Sequence, residues 1–309
     1  MMDACNCSII WKRNQTKFIC SVSEIDRAIS DSTGYSFNNY DSSSIGGGSI
    51  NEASKICGED GQEYFLKKNQ SSFLPFFEAE AGALTEISKT KTLRTPEVIA
   101  HGLDNGQAFL VLEYIQEGRN SSNGQVKLGT QLARLHRINQ PYFGWHTDNC
   151  IGATPQPNPR SDDWPSFYRD YRLAHQFDLA AKKGRKFEGT QKLLDSIESF
   201  FSSYNPHPSL LHGDLWGGNA GYDTEGEPFI FDPASYYGDR EADLAFTYMF
   251  GGFSSAFYDA YEKEYPVEPG FRFRKTLYNL YHELNHFNLF GGGYASSAQS
   301  SINQLLHSG

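Results

Sequence analysis

The feature that most constrains the fold is a change in the hydrophobic pattern of the chain near residue 115. Up to that point, short apolar runs bounded by turn residues are typical of β-strands. Beyond it, apolar residues recur at helical spacing. A polar, glycine-containing segment over 116–124 lies between the two patterns and suits a linker. The sequence therefore predicts an α+β fold of two lobes: a small antiparallel-sheet lobe with one long helix over 1–115, and a larger, mainly helical lobe over 116–309.

Length and composition agree with two lobes. The chain has 309 residues, and roughly 150 residues per domain allow about two domains. With 39% hydrophobic residues, it has enough apolar surface for a sizeable core. The elements predicted in the first part are a helix over 23–30 capped by Ser21 or Ser23, strands ending at Cys57 and covering 64–67, a helix over 73–88, and strands over 97–100 and 108–114.

The strongest local signal is HGDLWGGN over 212–219. An Asp followed five residues later by an Asn, here Asp214 and Asn219, is the spacing of a kinase catalytic loop. In such a loop the Asp accepts the proton of the substrate hydroxyl and the Asn binds Mg²⁺. The sequence therefore indicates Asp214 as a catalytic base and Asn219 as a metal ligand.

A second acidic site follows at Asp232, 13 residues after Asn219. The apolar run 229–231 is typical of a strand, and it pairs naturally with 219–222 across a turn. The Asp232 carboxylate would then face Asn219 across a hairpin. Mg²⁺ favours oxygen ligands and usually takes only one or two carboxylates in addition to substrate phosphates. We therefore predict that both side chains bind one Mg²⁺; the alternative is that they are unrelated loop residues.

Upstream, a glycine-rich segment precedes a predicted strand. It consists of Gly46, Gly47, Gly48 and Ser49. Glycines let backbone N–H groups approach phosphate oxygens closely. The segment predicts a loop that binds nucleotide phosphates, and a merely flexible loop is the alternative.

A lysine and a glutamate complete the predicted phosphate site. Lys67 closes the next strand and is suited to reach the α- and β-phosphates of a nucleotide, whereas Lys68 suits a solvated surface charge. In the following helix, Glu80 shares a face with apolar residues and so needs a partner, while Glu78 lies on another face. We predict a Lys67–Glu80 ion pair of the kind found in kinases.

The strand over 108–114 runs into Glu113 and Ile115, at the predicted hinge. In a two-lobed kinase, backbone groups of the hinge bind the edge of the adenine base. We therefore predict that the peptide units of Glu113 and Ile115, more than their side chains, contribute to the nucleotide site.

Two residues are candidates for contacting the phosphate acceptor. Trp216 lies two residues after Asp214, where an exposed indole could stack on a substrate; a core tryptophan is the alternative. His286 could face a sugar, or it could belong to the core of its helix.

Two further residues suit supporting roles: His136 as a hydrogen-bonded core histidine, and Asp243 as an acceptor for the backbone of the catalytic loop.

Charge and composition exclude several classes of partner. The chain has 27 Lys and Arg against 37 Asp and Glu, and this net charge of −10 argues against binding nucleic acid. It has no run of 18 apolar residues, so we expect no membrane span. The first residues lack the pattern of a secretory signal, and the five cysteines form neither a disulfide framework nor a paired zinc motif. We expect a cytoplasmic protein with free thiols.

Several segments together resemble a known family. They are GGGSI at 46–50, FLK at 65–67, FEAE at 77–80, FGW at 143–145, IG at 151–152, HGDLWGGN at 212–219, DP at 232–233, GDREADLA at 238–245 and NHFNLFG at 285–291. On these segments the chain resembles the fructosamine/ketosamine kinase family, which belongs to the aminoglycoside phosphotransferase and choline kinase-like group. The catalytic-loop segment is the most specific, because the wider group shares HGD but seldom the tryptophan.

The resemblance implies a bilobal protein-kinase-like fold and phosphorylation that depends on ATP and Mg²⁺. In this family the acceptor is O3 of a ketoamine, formed when a sugar glycates an amine. The phosphorylated ketoamine is unstable and releases the amine, so the activity deglycates amines or proteins. The partner would then be a ketoamine small molecule or a glycated protein.

Carried over to this chain, the resemblance makes Asp214 the base and Asn219 and Asp232 the metal ligands, while Lys67 with Glu80 orients the phosphates. The glycine-rich segment departs from the spaced G-x-G-x-x-G of protein kinases. The sequence leaves open the preferred sugar (fructosamine, ribulosamine or erythrulosamine), the amine and the oligomeric state.

Two alternatives stay open on the sequence. The first is another small-molecule kinase of this fold, acting on an aminoglycoside, choline or another hydroxylated metabolite. Such cationic substrates usually need an acidic cluster in the second lobe, whereas Trp216 and His286 favour a neutral sugar. The second is a pseudokinase that binds nucleotide without chemistry, against which the presence of the base, both metal ligands and the lysine argues.

Overall fold

The computed structural model describes residues 23–46 and 50–308, and it has the predicted α+β fold of two lobes. The first lobe contains a five-stranded sheet and one long helix, and the second contains most of the helices. Several residues of the sequence analysis lie outside the described residues: Ser21, Gly47, Gly48, Ser49 and three of the five cysteines, Cys5, Cys7 and Cys20.

The first lobe is built on one antiparallel sheet. Its elements are α1 (Glu24–Thr33), β1 (Asn39–Ser44), β2 (Glu52–Gly58), β3 (Glu63–Gln70), a single 3₁₀ turn (Ser71–Phe73), α2 (Leu74–Lys89), β4 (Val98–Asp104) and β5 (Gln107–Glu113). The strand order is β1-β2-β3-β5-β4. Lys67 therefore lies on the central strand, paired with Ala53 of β2 and Leu110 of β5. The sequence of β1, NYDSSS, lacks apolar alternation and therefore does not predict this strand.

The two faces of the sheet are covered by different helices. On one face, Ile25 and Ile29 of α1 pack in a cluster with Phe109 and Val111 of β5. On the other face, the cluster joins residues of α2 to the alternate residues of β5, namely Phe77, Ala81, Leu84, Ala108, Leu110 and Leu112. This alternation is the period-two pattern of a strand that is buried on both sides.

Helix α1 begins at the predicted cap. The side chain of Ser23 accepts a hydrogen bond from the backbone N–H of Asp26 at 3.0 Å. The helix ends at Gly34, whose φ of 75° is the left-handed conformation that glycine adopts most readily.

Helix α2 also contacts the second lobe. Ala79, Ala83 and Ile87 belong to the large core of that lobe, while the sheet-facing residues belong to the smaller cluster. Alanine at two of these three positions lets the helix approach the second lobe closely. The helix that carries Glu80 is therefore packed on both sides.

The second lobe is mainly helical. Its elements are α3 (Ser122–His136), β6 (Asn149–Ile151), β7 (Thr154–Gln156), α4 (Trp164–Tyr168), a π-helical segment (Arg169–Ala174), α5 (His175–Lys182), α6 (Thr190–Asp195), a 3₁₀ segment (Ile197–Phe201), β8 (Ser209–Leu210), a second 3₁₀ turn (Gly217–Asn219), β9 (Ala220–Tyr222), β10 (Pro228–Ile230), β11 (Tyr237–Gly238), α7 (Arg240–Thr247), α8 (Ser255–Glu264), α9 (Phe271–Phe290) and α10 (Tyr294–Ser308). The short strands pair as β6–β7, β8–β11 and β9–β10.

The predicted linker over 116–124 is partly wrong. Helix α3 begins inside it, at Ser122, because Ser121 caps the helix by accepting a hydrogen bond from the N–H of Gly124 at 3.1 Å. The apolar face of this helix, including Leu128 and Leu132, is buried. The division of the chain into domains at residue 115 stays a prediction.

Within the described part of the chain, no helix is both long enough and apolar enough to span a membrane.

Candidate active site

The catalytic loop is anchored by one buried carboxylate. Asp243 accepts hydrogen bonds from the N–H of His212 at 2.6 Å and of Gly213 at 2.8 Å. Burial alone would raise the pKa of Asp243, but the hydrogen bond from His136 and these backbone donors keep it below its usual value. The predicted supporting role of Asp243 is confirmed. His136 is the hydrogen-bonded core histidine that the sequence predicted, fully buried between Asp243 and Tyr261.

His212 joins the catalytic loop to the strand that precedes Asp232. Its Nδ1 accepts a hydrogen bond from the N–H of Asp214 at 3.2 Å, so its Nε2 carries the proton and donates to the carbonyl of Phe231 at 2.9 Å. Burial lowers the pKa of His212, which keeps the ring in this neutral form. The two ring nitrogens of His212 thus fix the backbone at Asp214 and at Phe231, the residue before Asp232.

Asp214 and Asn219 lie together, as their spacing predicted. The side-chain amide of Asn219 donates to the backbone carbonyl of Asp214 at 2.9 Å and to its carboxylate at 3.3 Å. Burial, and then the negative charge of Asp232, raise the pKa of Asp214 well above its ordinary value. A carboxylate with a raised pKa accepts a proton more readily, which suits a general base.

Asp232 follows the predicted hairpin. Strands β9 and β10 pair antiparallel, and the N–H of Phe231 donates to the carbonyl of Asn219 at 3.1 Å. Asp232 has a φ of 57°, a left-handed conformation that few residues other than glycine, asparagine and aspartate adopt. The strain is typical of residues that a functional site holds in place.

Lys67 meets two carboxylates. Its Nζ lies 2.7 Å from a carboxylate oxygen of Glu80 and also contacts Asp232. Burial lowers the pKa of Lys67, but the two carboxylates outweigh it and raise the pKa above its usual value, so the ammonium stays charged. The predicted Lys67–Glu80 pair is present, while Glu78 is exposed and Lys68 is half-buried.

The glycine-rich segment is described at its two ends. A Cβ placed on Gly46 would meet no described heavy atom within 4 Å. On the far side, the amide of Asn69 donates to the carbonyl of Ile50 at 3.2 Å and to the side chain of Asn51 at 2.7 Å. The base of the segment is therefore fixed to β3.

At the predicted hinge, the side chain of Glu113 already has partners. Its carboxylate lies 2.7 Å from Arg94 and accepts a hydrogen bond from the N–H of Glu97 at 3.1 Å. Arg94 also lies 2.6 Å from Asp223 in the turn between β9 and β10. Glu113, Tyr114 and Ile115 line the same cavity as Arg94. The N–H of Glu113 also donates to the carbonyl of Glu97 at 2.8 Å. Hydrogen bonds from the hinge peptide units to a base stay a prediction.

Trp216 and His286 come together around a third aromatic residue. The rings of Trp216 and His286 lie 5.9 Å and 5.2 Å, respectively, from that of Phe250. Trp216 is 39% exposed and Phe250 43% exposed, so the core alternative for Trp216 does not hold. His286 donates from Nδ1 to the carbonyl of His282 at 2.7 Å, and burial lowers its pKa, so the ring is neutral with its Nε2 lone pair free to accept.

A network of buried amides lies behind residues 232–235, called the metal loop below, and the sequence does not predict it. Gln156 donates to Asn149 at 2.8 Å and to the carbonyl of Ala234 at 3.0 Å, and it accepts from the hydroxyl of Tyr281 at 2.6 Å. Asn149 in turn donates to the carbonyl of Ser235 at 2.8 Å. The residues just after Asp232 are therefore held by side chains from β6 and β7. No spacing rule points to these amides; the one sequence signal is that polar residues alternate with prolines over 154–159.

The residues present fit a Mg²⁺ ion bound with a nucleotide. Asn219 donates from its amide nitrogen to Asp214, so its side-chain oxygen is the group that would bind a cation; its backbone carbonyl accepts from the N–H of Phe231, next to Asp232. Among residues 23–46 and 50–308, no three His, Cys, Asp or Glu side chains form a metal-binding group. One amide and one carboxylate oxygen suit Mg²⁺, which takes its other ligands from phosphates and water.

Comparison with known proteins gives a consistent family. A family model described as fructosamine kinase matches residues 21–308. A probable ketoamine kinase from Synechocystis is 46% identical over 91% of this chain and 96% of its own length. A chloroplastic protein-ribulosamine 3-kinase from Arabidopsis thaliana is 41% identical over 85% of this chain and 82% of its own.

Solved structures agree. The crystal structure of a protein assigned as a fructosamine-3-kinase from Haemophilus somnus superposes with a TM-score of 0.86 at 32% identity, covering 92% of this chain and 97% of that one. A choline kinase from Streptococcus pneumoniae superposes with a TM-score of 0.60 at 16% identity, covering 92% and 98%, and this likeness extends to the fold alone.

Proposed function

The chain belongs to the fructosamine kinase family, and we propose that it transfers the γ-phosphoryl group of ATP, with Mg²⁺, to O3 of a sugar-derived ketoamine. One observation carries the proposal. Lys67 contacts both Glu80 of the first lobe and Asp232 of the second. The ammonium group proposed to bind phosphate therefore lies next to Asp232, the proposed metal ligand. The products are ADP and a ketoamine 3-phosphate, whose breakdown releases the amine.

The nucleotide is bound by residues from both lobes. Lys67, held in place by Glu80, neutralises and orients the phosphates. Asn219 and Asp232 would hold Mg²⁺, which supplies further charge neutralisation when it is bound with the nucleotide. Residues 46–49 offer backbone N–H groups to the phosphates, and the peptide units of Glu113 and Ile115 offer hydrogen bonds to adenine.

Asp214 positions the acceptor hydroxyl and removes its proton. Its raised pKa makes it a better acceptor than an exposed carboxylate, and the Asn219 amide fixes its direction. Phosphoryl transfer depends mainly on positioning and charge stabilisation, so this alignment is the main contribution of the chain at the acceptor side.

The acceptor site is proposed around Trp216, Phe250 and His286. The exposed aromatic rings offer faces on which the C–H groups of a sugar chain stack, and the neutral His286 ring can accept a hydrogen bond from a hydroxyl. An aromatic face also attracts a cation such as choline, so the choice of a sugar-derived acceptor rests on the family. Relatives that match over most of the chain are named ketoamine and ribulosamine kinases, which supports this choice.

We also infer a cytoplasmic location, in agreement with the free thiols of Cys57 and Cys150. The name of the Arabidopsis relative places that protein in the chloroplast, so a plastid is the alternative compartment.

The experiment is Mg²⁺-dependent ATP consumption by the whole chain against a panel of acceptors. The panel contains ribulose- and fructose-derived lysine ketoamines, free and on a glycated protein, with choline and an aminoglycoside. Turnover on ketoamines, with phosphate recovered on O3 by NMR, supports the proposal and ranks the sugars. Turnover on choline or the aminoglycoside alone overturns the substrate, and ATP binding without any turnover favours the pseudokinase alternative.

A further inference from the structure

Glu86 of α2 is clamped by two residues of the second lobe. Its two carboxylate oxygens accept hydrogen bonds from different donors: the indole Nε1 of Trp145 at 3.1 Å and the hydroxyl of Tyr237 at 2.5 Å. Both donor residues are buried, with exposures of 2% and 8%. Hydrogen bonds to a carboxylate are stronger than those between neutral groups, and a low local dielectric strengthens them further.

The backbone brings the two donors side by side. The N–H of Gly144 donates to the carbonyl of Tyr237 at 2.9 Å, and the N–H of Tyr237 donates to the carbonyl of Gly144 at 2.7 Å. Gly144 has a φ of 99°, and a Cβ there would lie 2.1 Å from the carbonyl oxygen of Pro159. Only glycine fits this position, so the segment FGW places Trp145 next to Tyr237 by its backbone geometry.

The donors belong to the segments that carry the chemistry. Tyr237 follows Asp232 by five residues and pairs across β8–β11 with Leu210, which lies two residues before His212 of the catalytic loop. The clamp therefore connects α2 to the frame of the catalytic and metal loops.

On α2, Glu86 lies six residues after Glu80, about 9 Å along a rigid helix. Between them, Ala83 packs in the core of the second lobe. A tilt of the helix at Glu86 would move Glu80 relative to Lys67, and a misplacement of about 1 Å can cost about a hundredfold in a catalytic step.

From this geometry we infer that Glu86 is a positioning residue for nucleotide binding, which holds α2 in the position where Glu80 meets Lys67. The clamp supplies contacts between α2 and the second lobe, and the Lys67–Glu80 pair depends on the position of the same helix. The inference rests on the proposed use of ATP, and it concerns α2 rather than the acceptor.

The test compares Glu86→Ala with Glu86→Gln, Tyr237→Phe and the control Glu78→Ala, an exposed glutamate on the same helix. For Glu86→Ala, the loss of the charged hydrogen bonds should raise both the KM for ATP and the Kd of ATP·Mg²⁺ about tenfold. The KM for the ketoamine should stay within about twofold, because the acceptor residues do not touch the clamp. Glu78→Ala should match the wild type.

The conservative variants separate positioning from mere stability. Gln can accept from Trp145 and donate to the hydroxyl oxygen of Tyr237, so Glu86→Gln should recover most of the nucleotide affinity. Tyr237→Phe keeps the ring and removes one hydrogen bond, so it gives a smaller increase in the Kd of ATP·Mg²⁺ and serves if Glu86→Ala does not fold.

A lowered melting temperature with unchanged Kd and KM for ATP in Glu86→Ala and Tyr237→Phe would overturn the inference. Failure of the wild type on every ketoamine would instead refute the proposed acceptor. The Kd of ATP·Mg²⁺, measured by calorimetry without acceptor, would still test the clamp.

Discussion

The catalytic loop of the second lobe and the glycine-rich segment of the first lobe both face the nucleotide in the proposed complex, yet their surroundings differ. The loop is held by Asp243, which binds two of its N–H groups, and by His212, which links it to the strand before Asp232. Around Gly46, by contrast, a Cβ would meet no described atom within 4 Å. The catalytic loop is therefore fixed by hydrogen bonds within the chain, whereas a phosphate could approach the Cβ side of Gly46 without meeting a described atom.

This difference predicts a division of effects. Substitutions in the loops of the second lobe should act mainly on turnover, because they disturb a prearranged geometry. Substitutions at Lys67 and Glu80 should act mainly on the affinity for ATP. Four measurements can break or sharpen this division.

The largest effect is expected for Asp214→Asn. Removing the base should lower kcat by about 10²–10⁴-fold, while the Kd of ATP·Mg²⁺ changes by less than about threefold. Because burial and Asp232 raise the pKa of Asp214, its charge is unfavourable in the folded protein, so the neutral amide should not lower the free energy of unfolding. Single-turnover kinetics and calorimetry would measure both. Unchanged turnover would remove Asp214 from the mechanism.

The next effect is expected for Lys67→Met, with Lys68→Met as its matched control on the same strand. The substitution leaves Glu80 without its buried partner, and breaking a buried pair costs about 3–5 kcal/mol of stability. Affinity for ATP should fall much more than kcat at saturating ATP. Denaturant unfolding and initial rates over a range of ATP concentrations test this, and equal losses in the two variants would contradict the selective role of Lys67.

A smaller effect is expected for Gln156→Leu, in the amide network behind the metal loop. Leucine leaves the carbonyl of Ala234 and the hydroxyl of Tyr281 without their partner, at about 1–3 kcal/mol per buried group. We expect lower stability and a lower kcat, because the residues after Asp232 lose a support. Gln191→Leu, at an exposed position of α6, is the control. Lower stability with kcat unchanged would confine the network to folding.

The parts of this site that the sequence could predict are those with local rules. The spacing of Asp214 and Asn219, the hairpin before Asp232 and the helical phase of Glu80 follow from periods and turns, which few residues determine. The clamp on Glu86 could not be predicted, because Trp145 and Tyr237 lie 59 and 151 residues away along the chain. The start of α3 was missed for a different reason, since a serine cap in a polar segment resembles a linker until its hydrogen bond is seen.

The smallest effect is expected for His282 of α9, the helix that also carries His286 of the proposed acceptor site, and it concerns how the free energy of unfolding depends on pH. His282 of α9 is buried, stacks on Phe246 with ring centroids 3.5 Å apart, and has a Nδ1 without a partner in the described structure. Burial, and then the neighbouring His286, lower the pKa of His282 well below its usual value. The unfolded chain, with an ordinary histidine pKa of about 6.5, therefore binds a proton that the folded protein does not.

The stability that neutral His282 contributes is thus complete above about pH 6.5 and decreases as the pH falls below that value, by up to about 1.4 kcal/mol per pH unit. His282→Phe keeps a ring against Phe246 and removes this proton. Between about pH 6.5 and 5, the free energy of unfolding of this variant should fall less steeply than that of the wild type. The difference in slope should be at most that of one proton, about 1.4 kcal/mol per pH unit. Some slope remains, because burial also lowers the pKa of His212 and His286. The same substitution at exposed His101 is the control. Identical slopes for His282→Phe and wild type would mean that His282 takes up its proton in the folded protein, and that the helix behind the acceptor residues is more open to water than the catalytic loop.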